Sequence, residues 1–179
     1  MIGTVRECHA EATGITDPLD AILAEHQRQI ALLDALKALL ERLEEHSAAA
    51  EAKVLLRYLA EDLPLHMADE EEDLFPRLER RCRPEHGIRG ILDQLSREHD
   101  LDSDLSAFLI EDLTRVADGL GLAHLTRLSL NASAFAETHR RHLDWENRVV
   151  LPLARELLGA EDLAAIGAGM TRRRGSRKS

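Results

Sequence analysis

The chain has 179 residues, enough for one domain with a substantial core, and it is rich in Leu, Ala, Glu and Arg but poor in aromatic residues, which is typical of a helical protein. Its formal net charge of −10 disfavours a general role on nucleic acid or on an anionic membrane surface. No apolar run approaches the roughly 18 residues of a membrane span and the N-terminal residues lack a signal-peptide core, so we expect a cytoplasmic protein.

Apolar residues recur every three or four positions through four stretches of the chain, which predicts four long helices. The first begins at Asp17-Pro18, an N-cap residue followed by proline at the first helical position, and Ser47 can cap the second. We predict these helices at about residues 17–46, 48–82, 88–118 and 122–158, with a short final helix at about 161–170. Because the connections are short, we expect an all-α fold, an antiparallel up-down-up-down four-helix bundle.

The domain organisation follows from these elements. We predict an N-terminal extension at residues 1–16, the bundle with its final helix at 17–170, and a tail at 171–179. The tail carries five basic residues, Arg172, Arg173, Arg174, Arg177 and Lys178. We interpret it as a solvated, disordered terminus of the kind expected at chain ends, rather than a phosphate-binding segment.

One motif occurs twice in the chain. The pattern His-x3-Glu-x5-Pro begins at His66 and again at His142, and a Glu-His pair precedes each copy at a similar distance. In every case the histidine falls on the apolar face of its predicted helix, and the motif glutamate falls on the same face one turn later. The six inward-facing residues are His26, His66, Glu70, His99, His142 and Glu146. The other acidic residues beside Glu70, which are Asp69, Glu71, Glu72 and Asp73, are expected mostly to face solvent.

These polar residues interrupt the four apolar faces at one level of the predicted bundle. Burying two glutamates without compensating charge would be costly, and a metal cation removes that cost. Imidazole and carboxylate donors without thiolate suit a pair of first-row transition metals, and manganese or zinc can use them as well as iron. The simplest division gives each metal two histidines, His26 with His66 and His99 with His142, and makes Glu70 and Glu146 bridges between the metals.

The spacing disfavours two other classes of metal site. Ferritin-like di-iron proteins use Glu-x2-His, and no histidine in this chain has Glu three positions before it. The His-Glu-x2-His motif of zinc peptidases is also absent. Cys8 and Cys82 lack the spacing of a thiolate metal site.

The six residues together resemble the hemerythrin-like family, in the form described as the HHE cation-binding domain. The resemblance covers about residues 17–158 and rests on the two His-x3-Glu motifs, on the two preceding histidines and on the downstream prolines. It implies two iron ions joined by an oxo or hydroxo bridge inside a four-helix bundle. It also implies that small molecules such as O2 reach the metals.

One position departs from the oxygen-carrying members of that family. They have a fifth histidine four residues after the first histidine of the third helix, and here that residue is Ser103. Without it both metals would keep an open position, which argues against simple reversible oxygen carriage. His139, one turn before His142, is a candidate fifth ligand or proton donor. Asp102 and Gln29 are candidate hydrogen-bond partners for ring nitrogens that face away from the metals.

The leading functional hypothesis is a non-haem di-iron protein that binds, senses or reacts with O2, peroxide or NO, together with a redox partner that the sequence does not identify. Two alternatives stay open. The family resemblance suggests iron-sulfur cluster repair, although repair members generally carry an additional N-terminal domain with adjacent cysteines. The other alternative is a regulatory metal or redox sensor that acts on a partner through the final helix and the tail.

Overall fold

The structure, a computed structural model, describes residues 16–45, 47–120 and 125–176. Every regular element within these ranges is helical, as the composition predicts. None of the helices described is long and apolar enough to cross a membrane.

The first helix, α1, spans Pro18–Leu40. Its N-cap is Asp17, whose side chain accepts hydrogen bonds from two backbone N–H groups of the first turn. Proline is favourable at the first helical position because its missing N–H would have no partner there. The helix ends earlier than the predicted residue 46. Three of the next five residues, Glu41, Glu44 and Glu45, are acidic, and acidic side chains are unfavourable at a helix C-terminus.

Residues 48–81 form a continuous helical segment in which α-helical and π-helical turns alternate. Its parts are α2 (Ala48–Arg57), π1 (Tyr58–Asp62), α3 (Leu63–Ala68), π2 (Asp69–Leu74) and α4 (Phe75–Arg81). A short 3-10 turn at Pro84–His86 leads into α5, which spans Ile88–Ala117. Residues 125–157 form a second mixed segment of three parts, α6 (Leu125–Trp145), π3 (Glu146–Val150) and α7 (Leu151–Leu157).

Each π-helical turn ends shortly before a proline. The backbone N–H that precedes Pro64, Pro76 or Pro152 donates to the carbonyl five residues back instead of four. A proline ring clashes with the carbonyl four residues before it and has no N–H to donate, so the preceding turn widens. In π2 and π3 the accepting carbonyl belongs to the motif glutamate itself, Glu70 or Glu146. The two copies of the motif therefore share a backbone device as well as a spacing.

The apolar core consists of two clusters of buried side chains, and every long helical segment contributes to both. The first cluster takes the end of α1, the start of residues 48–81, the end of α5 and the start of α6, and includes Leu33 and Phe135. The second takes the opposite ends of the same segments, and includes Ile22 and Val150. Along each segment, the histidine or the His-x3-Glu pair predicted to face inward lies where one cluster gives way to the other.

The last helix, α8, spans Ala160–Ser176 and packs on the second cluster through Ile166 and Met170. The sequence predicted this helix to end near Met170 and a disordered tail to begin at residue 171. Instead the helix continues through the three consecutive arginines at 172–174. Residues 177–179 of the predicted tail lie outside the described range.

Two buried aspartates explain why the helix is longer than predicted. Asp69 and Asp73 are 1% and 5% exposed, which contradicts the expectation that they face solvent. Arg173 Nε lies 2.9 Å from Asp69 Oδ1 and the same guanidinium contacts Asp73, while Arg174 Nη2 lies 2.7 Å from Asp69 Oδ2. Buried carboxylates need counter-charges. The extension of α8 supplies them.

Gly169 lies where α8 approaches the side chain of Asp73. A Cβ atom at this position would lie 2.7 Å from Asp73 Cγ, and Arg77 and Arg173 both hold that carboxylate in place. We therefore expect Gly169→Ala to lower the free energy of unfolding by about 1–3 kcal/mol in urea denaturation. Gly90→Ala in α5 is the matched control, because a Cβ there meets nothing within 4 Å and alanine favours the helix. Unchanged stability of the Gly169→Ala protein would contradict the close contact.

Candidate metal centre

The structure brings the six predicted inward-facing residues together. The histidines lie on four different helices and each glutamate lies on a π-helical turn: His26 on α1, His66 on α3, Glu70 on π2, His99 on α5, His142 on α6 and Glu146 on π3. All six are buried, and the most exposed of them, His99, is only 5% exposed.

The donor atoms fall into two groups that overlap. One group contains His26 and His66, the other contains His99 and His142, and Glu70 and Glu146 belong to both. Within each group the donor atoms all lie within 4.8 Å of one another. This is the division that the sequence favours, with two histidines for each metal and two shared carboxylates.

Glu70 is the most densely contacted carboxylate of the centre. Its Oε1 lies 3.3 Å from His26 Nε2, and its Oε2 lies 3.3 Å from His66 Nε2 and 3.4 Å from His99 Nε2. Histidines from both groups thus contact the carboxylate of Glu70. Its position can serve as a bridge.

Glu146 occupies the equivalent position in the second copy of the motif. Its Oε1 lies 3.2 Å from His142 Nε2, and its Oε2 lies 3.4 Å from His26 Nε2. The Nε2 atoms of His99 and His142 are 3.0 Å apart. The Nε2 side of these imidazole rings therefore faces the carboxylates.

Several atoms of the centre are buried without a hydrogen-bond partner. They are His66 Nε2, Glu70 Oε2 and both carboxylate oxygens of Glu146. Burying such atoms unsatisfied is costly, and the cost is greatest for a charged carboxylate. Metal cations held by the two groups of donors could accept lone pairs from these atoms, so the donor set fits a metal site.

The Nδ1 atoms of three of these histidines contact a further set of side chains. His26 Nδ1 lies 2.7 Å from Asn147 Oδ1, and His99 Nδ1 lies 2.7 Å from Glu71 Oε1. Asn147 directly follows Glu146, and Glu71 directly follows Glu70, so these contacts repeat with the motif. Such acceptors orient a ligating imidazole and raise its basicity.

The third contact joins His142 Nδ1 to Glu98 Oε2 at 3.3 Å. The sequence reasoning missed all three acceptors, Asn147, Glu71 and Glu98, and proposed Asp102 and Gln29 instead. Each missed residue is a direct chain neighbour of one of the six residues of the centre. That adjacency is the signal that could have identified them.

Asp102 and Gln29 bind His139 rather than the nitrogens of the six-residue centre. His139 Nδ1 lies 2.6 Å from Asp102 Oδ2, and His139 Nε2 lies 2.6 Å from Gln29 Oε1. The ring of His139 is nearly parallel to that of His142, with centroids 5.8 Å apart. Neither group of donor atoms includes His139, whose two nitrogens both have other partners.

Ser103, the residue at the position of the carriers' fifth histidine, is engaged with its own helix. Its hydroxyl donates to the backbone carbonyl of His99 at 2.9 Å and lies 3.8 Å from the sulfur of Met67. The serine hydroxyl therefore has partners outside the two donor groups.

Burial and neighbouring charges shift the pKa of several residues of the centre. Burial lowers the pKa of His26, but the hydrogen bond that its ring donates to Glu70 and the charge of Glu146 outweigh burial and raise the pKa to about 9. In His99 burial is likewise outweighed by Glu70 and Glu71, and the pKa rises to about 10. Burial lowers the pKa of His66 well below its ordinary value. For Glu70, burial opposes ionisation but the surrounding histidines hold its pKa well below normal.

The helical fold and the buried imidazole and carboxylate donors define a class, a helical protein whose described residues could hold metal ions. The family profile of the hemerythrin HHE cation-binding domain matches residues 17–154, and the chain belongs to that family. The resemblance inferred from the motifs is thus confirmed. No curated protein matches the chain.

The contacts of His139 predict how its substitution affects stability and metal content. His139→Phe keeps an aromatic ring beside His142 but leaves Asp102 and Gln29 without their partner, so we expect the free energy of unfolding to fall by about 1–3 kcal/mol. Metal content should stay equal to that of the unchanged protein, as measured by elemental analysis. His139→Gln, which can keep one hydrogen bond, should lose less stability. If His139→Phe halved the metal content, His139 would be a ligand.

Proposed function

We propose that this chain is a non-haem di-iron protein whose carboxylate-bridged centre binds, senses or reacts with a small oxidant such as O2, peroxide or NO. The observation that carries the proposal is the pair of overlapping donor groups that share Glu70 and Glu146. Two separate mononuclear sites would not need common carboxylates. A shared pair is typical of two metal ions held close together, as in the di-iron carboxylate proteins.

In this proposal each metal has two histidine ligands. His26 and His66 would hold one metal, His99 and His142 would hold the other, and Glu70 and Glu146 would be shared by both. The buried oxygens that lack hydrogen-bond partners support the assignment, because metal coordination would satisfy them. Ser103 and His139 have other partners, so neither is assigned as a further ligand, and each metal would have an open coordination position.

Iron at these positions would supply two-electron chemistry through the diferrous and diferric states. The histidines would bind as neutral imidazoles, so loading the centre displaces the protons that the raised pKa values of His26 and His99 keep on those rings at neutral pH. His66, whose pKa is lowered, is ready to bind without that step. Manganese or zinc can use the same donors.

The surroundings of the centre favour a small ligand. Apolar clusters lie on either side of it along the helices, and the ring of Phe75 is nearly parallel to that of His99 at a centroid distance of 5.9 Å. Such packing excludes bulk water and strengthens electrostatic interactions inside. A diatomic molecule or peroxide fits this environment better than an organic substrate does.

We also infer that the long helical segments form an antiparallel up-down-up-down four-helix bundle. Each apolar cluster takes the start of one segment and the end of the next, in alternation along the chain. Neighbouring segments that run in opposite directions produce this alternation, and short connections favour it.

The two metal positions differ in the charge of their surroundings. At one position His99 and His142 contact the carboxylates of Glu71 and Glu98, whereas at the other His26 contacts the neutral amide of Asn147. A carboxylate acceptor makes an imidazole a stronger donor than an amide acceptor does. We expect the position at His99 and His142 to bind its metal more tightly.

The two alternatives from the sequence differ in their support. The repair hypothesis stays a prediction, because the residues that precede the bundle, Cys8 among them, lie outside the described range. The sensor hypothesis gains a structural basis from α8, whose arginines contact the segment that carries Glu70. The cytoplasmic location also stays a prediction.

The di-iron proposal predicts a metal content and its loss. After expression with ample iron, elemental analysis should find two irons per chain, and the anaerobically reduced protein should gain near-ultraviolet absorption on exposure to air. Glu70→Gln should reduce both metals because both share that carboxylate, whereas Glu137→Gln, an exposed glutamate of α6, should change neither. A colourless protein with less than one iron per chain would contradict the proposal.

The difference between the two positions can be tested by exchanging the acceptors. Stepwise Co(II) titration against a chelator should resolve two affinities in the unchanged protein. Asn147→Asp should strengthen the weaker step and Glu71→Gln should weaken the stronger one, each by roughly tenfold. Asp144→Asn, at an exposed position of α6, is the control. If either variant shifted both steps equally, the contacts would not distinguish the metals.

A further inference from the structure

Helix α8 lies beyond residues 17–154, the part of the chain that the family profile matches. Its apolar face packs on the cluster that contains Leu74 and Phe75, through Ile166 and Met170. Leu74 is the last residue of π2. An element outside the family domain therefore packs directly against the turn that carries Glu70.

Ionic contacts also join α8 to π2. Arg173 Nε lies 2.9 Å from Asp69 Oδ1, Arg173 Nη1 lies 2.9 Å from Glu72 Oε2, and the same guanidinium contacts Asp73. Arg174 Nη2 lies 2.7 Å from Asp69 Oδ2. Planar guanidinium groups with several carboxylate contacts fix geometry as well as charge.

The five acidic residues of π2 divide between two partners. Asp69, Glu72 and Asp73 contact α8, whereas Glu70 and Glu71 contact histidines of the metal centre. The arginines of α8 therefore contact one side of π2, and the other side of π2 faces the metal centre. Any movement of π2 relative to α8 would also move Glu70.

The arginines of α8 contact buried carboxylates of π2, so loss of these contacts would be costly. Asp69 is 1% exposed and is adjacent in the chain to Glu70, so loss of its arginine partners would leave a buried charge beside Glu70. Removing the partner of a buried charge is strongly destabilising locally. Gly169 adds a steric constraint, because α8 approaches Asp73 too closely for a side chain.

We propose that Arg173 and Arg174 are positioning residues that clamp π2, so that Glu70 lies where both metals can share it. The inference rests on the proposed di-metal function. Coupling of this kind is reciprocal: if docking of α8 strengthens metal binding, metal binding must strengthen docking of α8 to the same degree. Through the clamp, loading of the metal centre therefore changes how firmly α8 is docked.

The test compares two variants of the same helix in the full-length chain. Arg173→Ala/Arg174→Ala removes the clamp, and Arg172→Ala removes a neighbouring exposed arginine. In anaerobic Fe(II) titration against a chelator, we expect the double variant to bind both metals roughly tenfold more weakly and Arg172→Ala to match the unchanged protein. Hydrogen exchange of the α8 amides should slow on metal loading in the unchanged protein and much less in the double variant.

The outcomes separate the clamp from the function. If the unchanged protein fails to bind two metals per chain, the proposed function falls and the clamp with it. If the unchanged protein binds two metals and the folded double variant binds them with equal affinity, only the clamp is overturned. Circular dichroism of the metal-free proteins establishes folding, and if the double variant does not fold, Asp69→Asn is judged by the same affinity criterion.

Discussion

The burial of two carboxylates in the middle of a helical core is the constraint on which the rest of the structure depends. Glu70 and Glu146 are at most 1% exposed, and apolar clusters lie on either side of them along the helices. Leaving such charges uncompensated would be prohibitive. The four surrounding histidines contact these carboxylates, and the arrangement of histidines and glutamates could hold metal ions that compensate the charge. Because burying the two carboxylates is costly without a compensating cation, the centre favours binding of a cation.

The two copies of the motif contribute equivalent residues to the centre. The two halves of the centre differ where the sequences and contacts of the two copies differ. Both copies share the spacing, the proline and the wide turn whose accepting carbonyl belongs to the glutamate. They differ in the residue that follows, which is Glu71 in one copy and Asn147 in the other, and in the arginines that contact π2. In the proposed di-metal centre, this repeated scaffold would therefore support two chemically different metal positions.

The residues that the sequence could predict are those whose position depends on helical periodicity. His26, His66, His99 and His142 interrupt apolar faces, and faces of neighbouring helices must meet, so the centre could be assembled without coordinates. The partner of a buried charge is a different problem. Asp69 and Arg173 are 104 residues apart, and no local pattern says which of many basic side chains will reach a given carboxylate. For the same reason, the sequence of residues 172–174 considered alone predicted part of a disordered tail.

A shared carboxylate makes the clamp more than a stabilising contact. A residue that binds one metal can follow that metal when the backbone shifts, but a bridging residue must satisfy two metals and two geometries at once. Its tolerance for displacement is therefore small, and misplacement by a fraction of an ångström affects both metals together. Glu70 sits on a turn that is wider than an α-helical turn and depends on its side-chain contacts for its position. In the proposed di-metal centre, guanidinium groups on an element beyond the family domain would fix that turn and so position the ligand with the least tolerance for displacement.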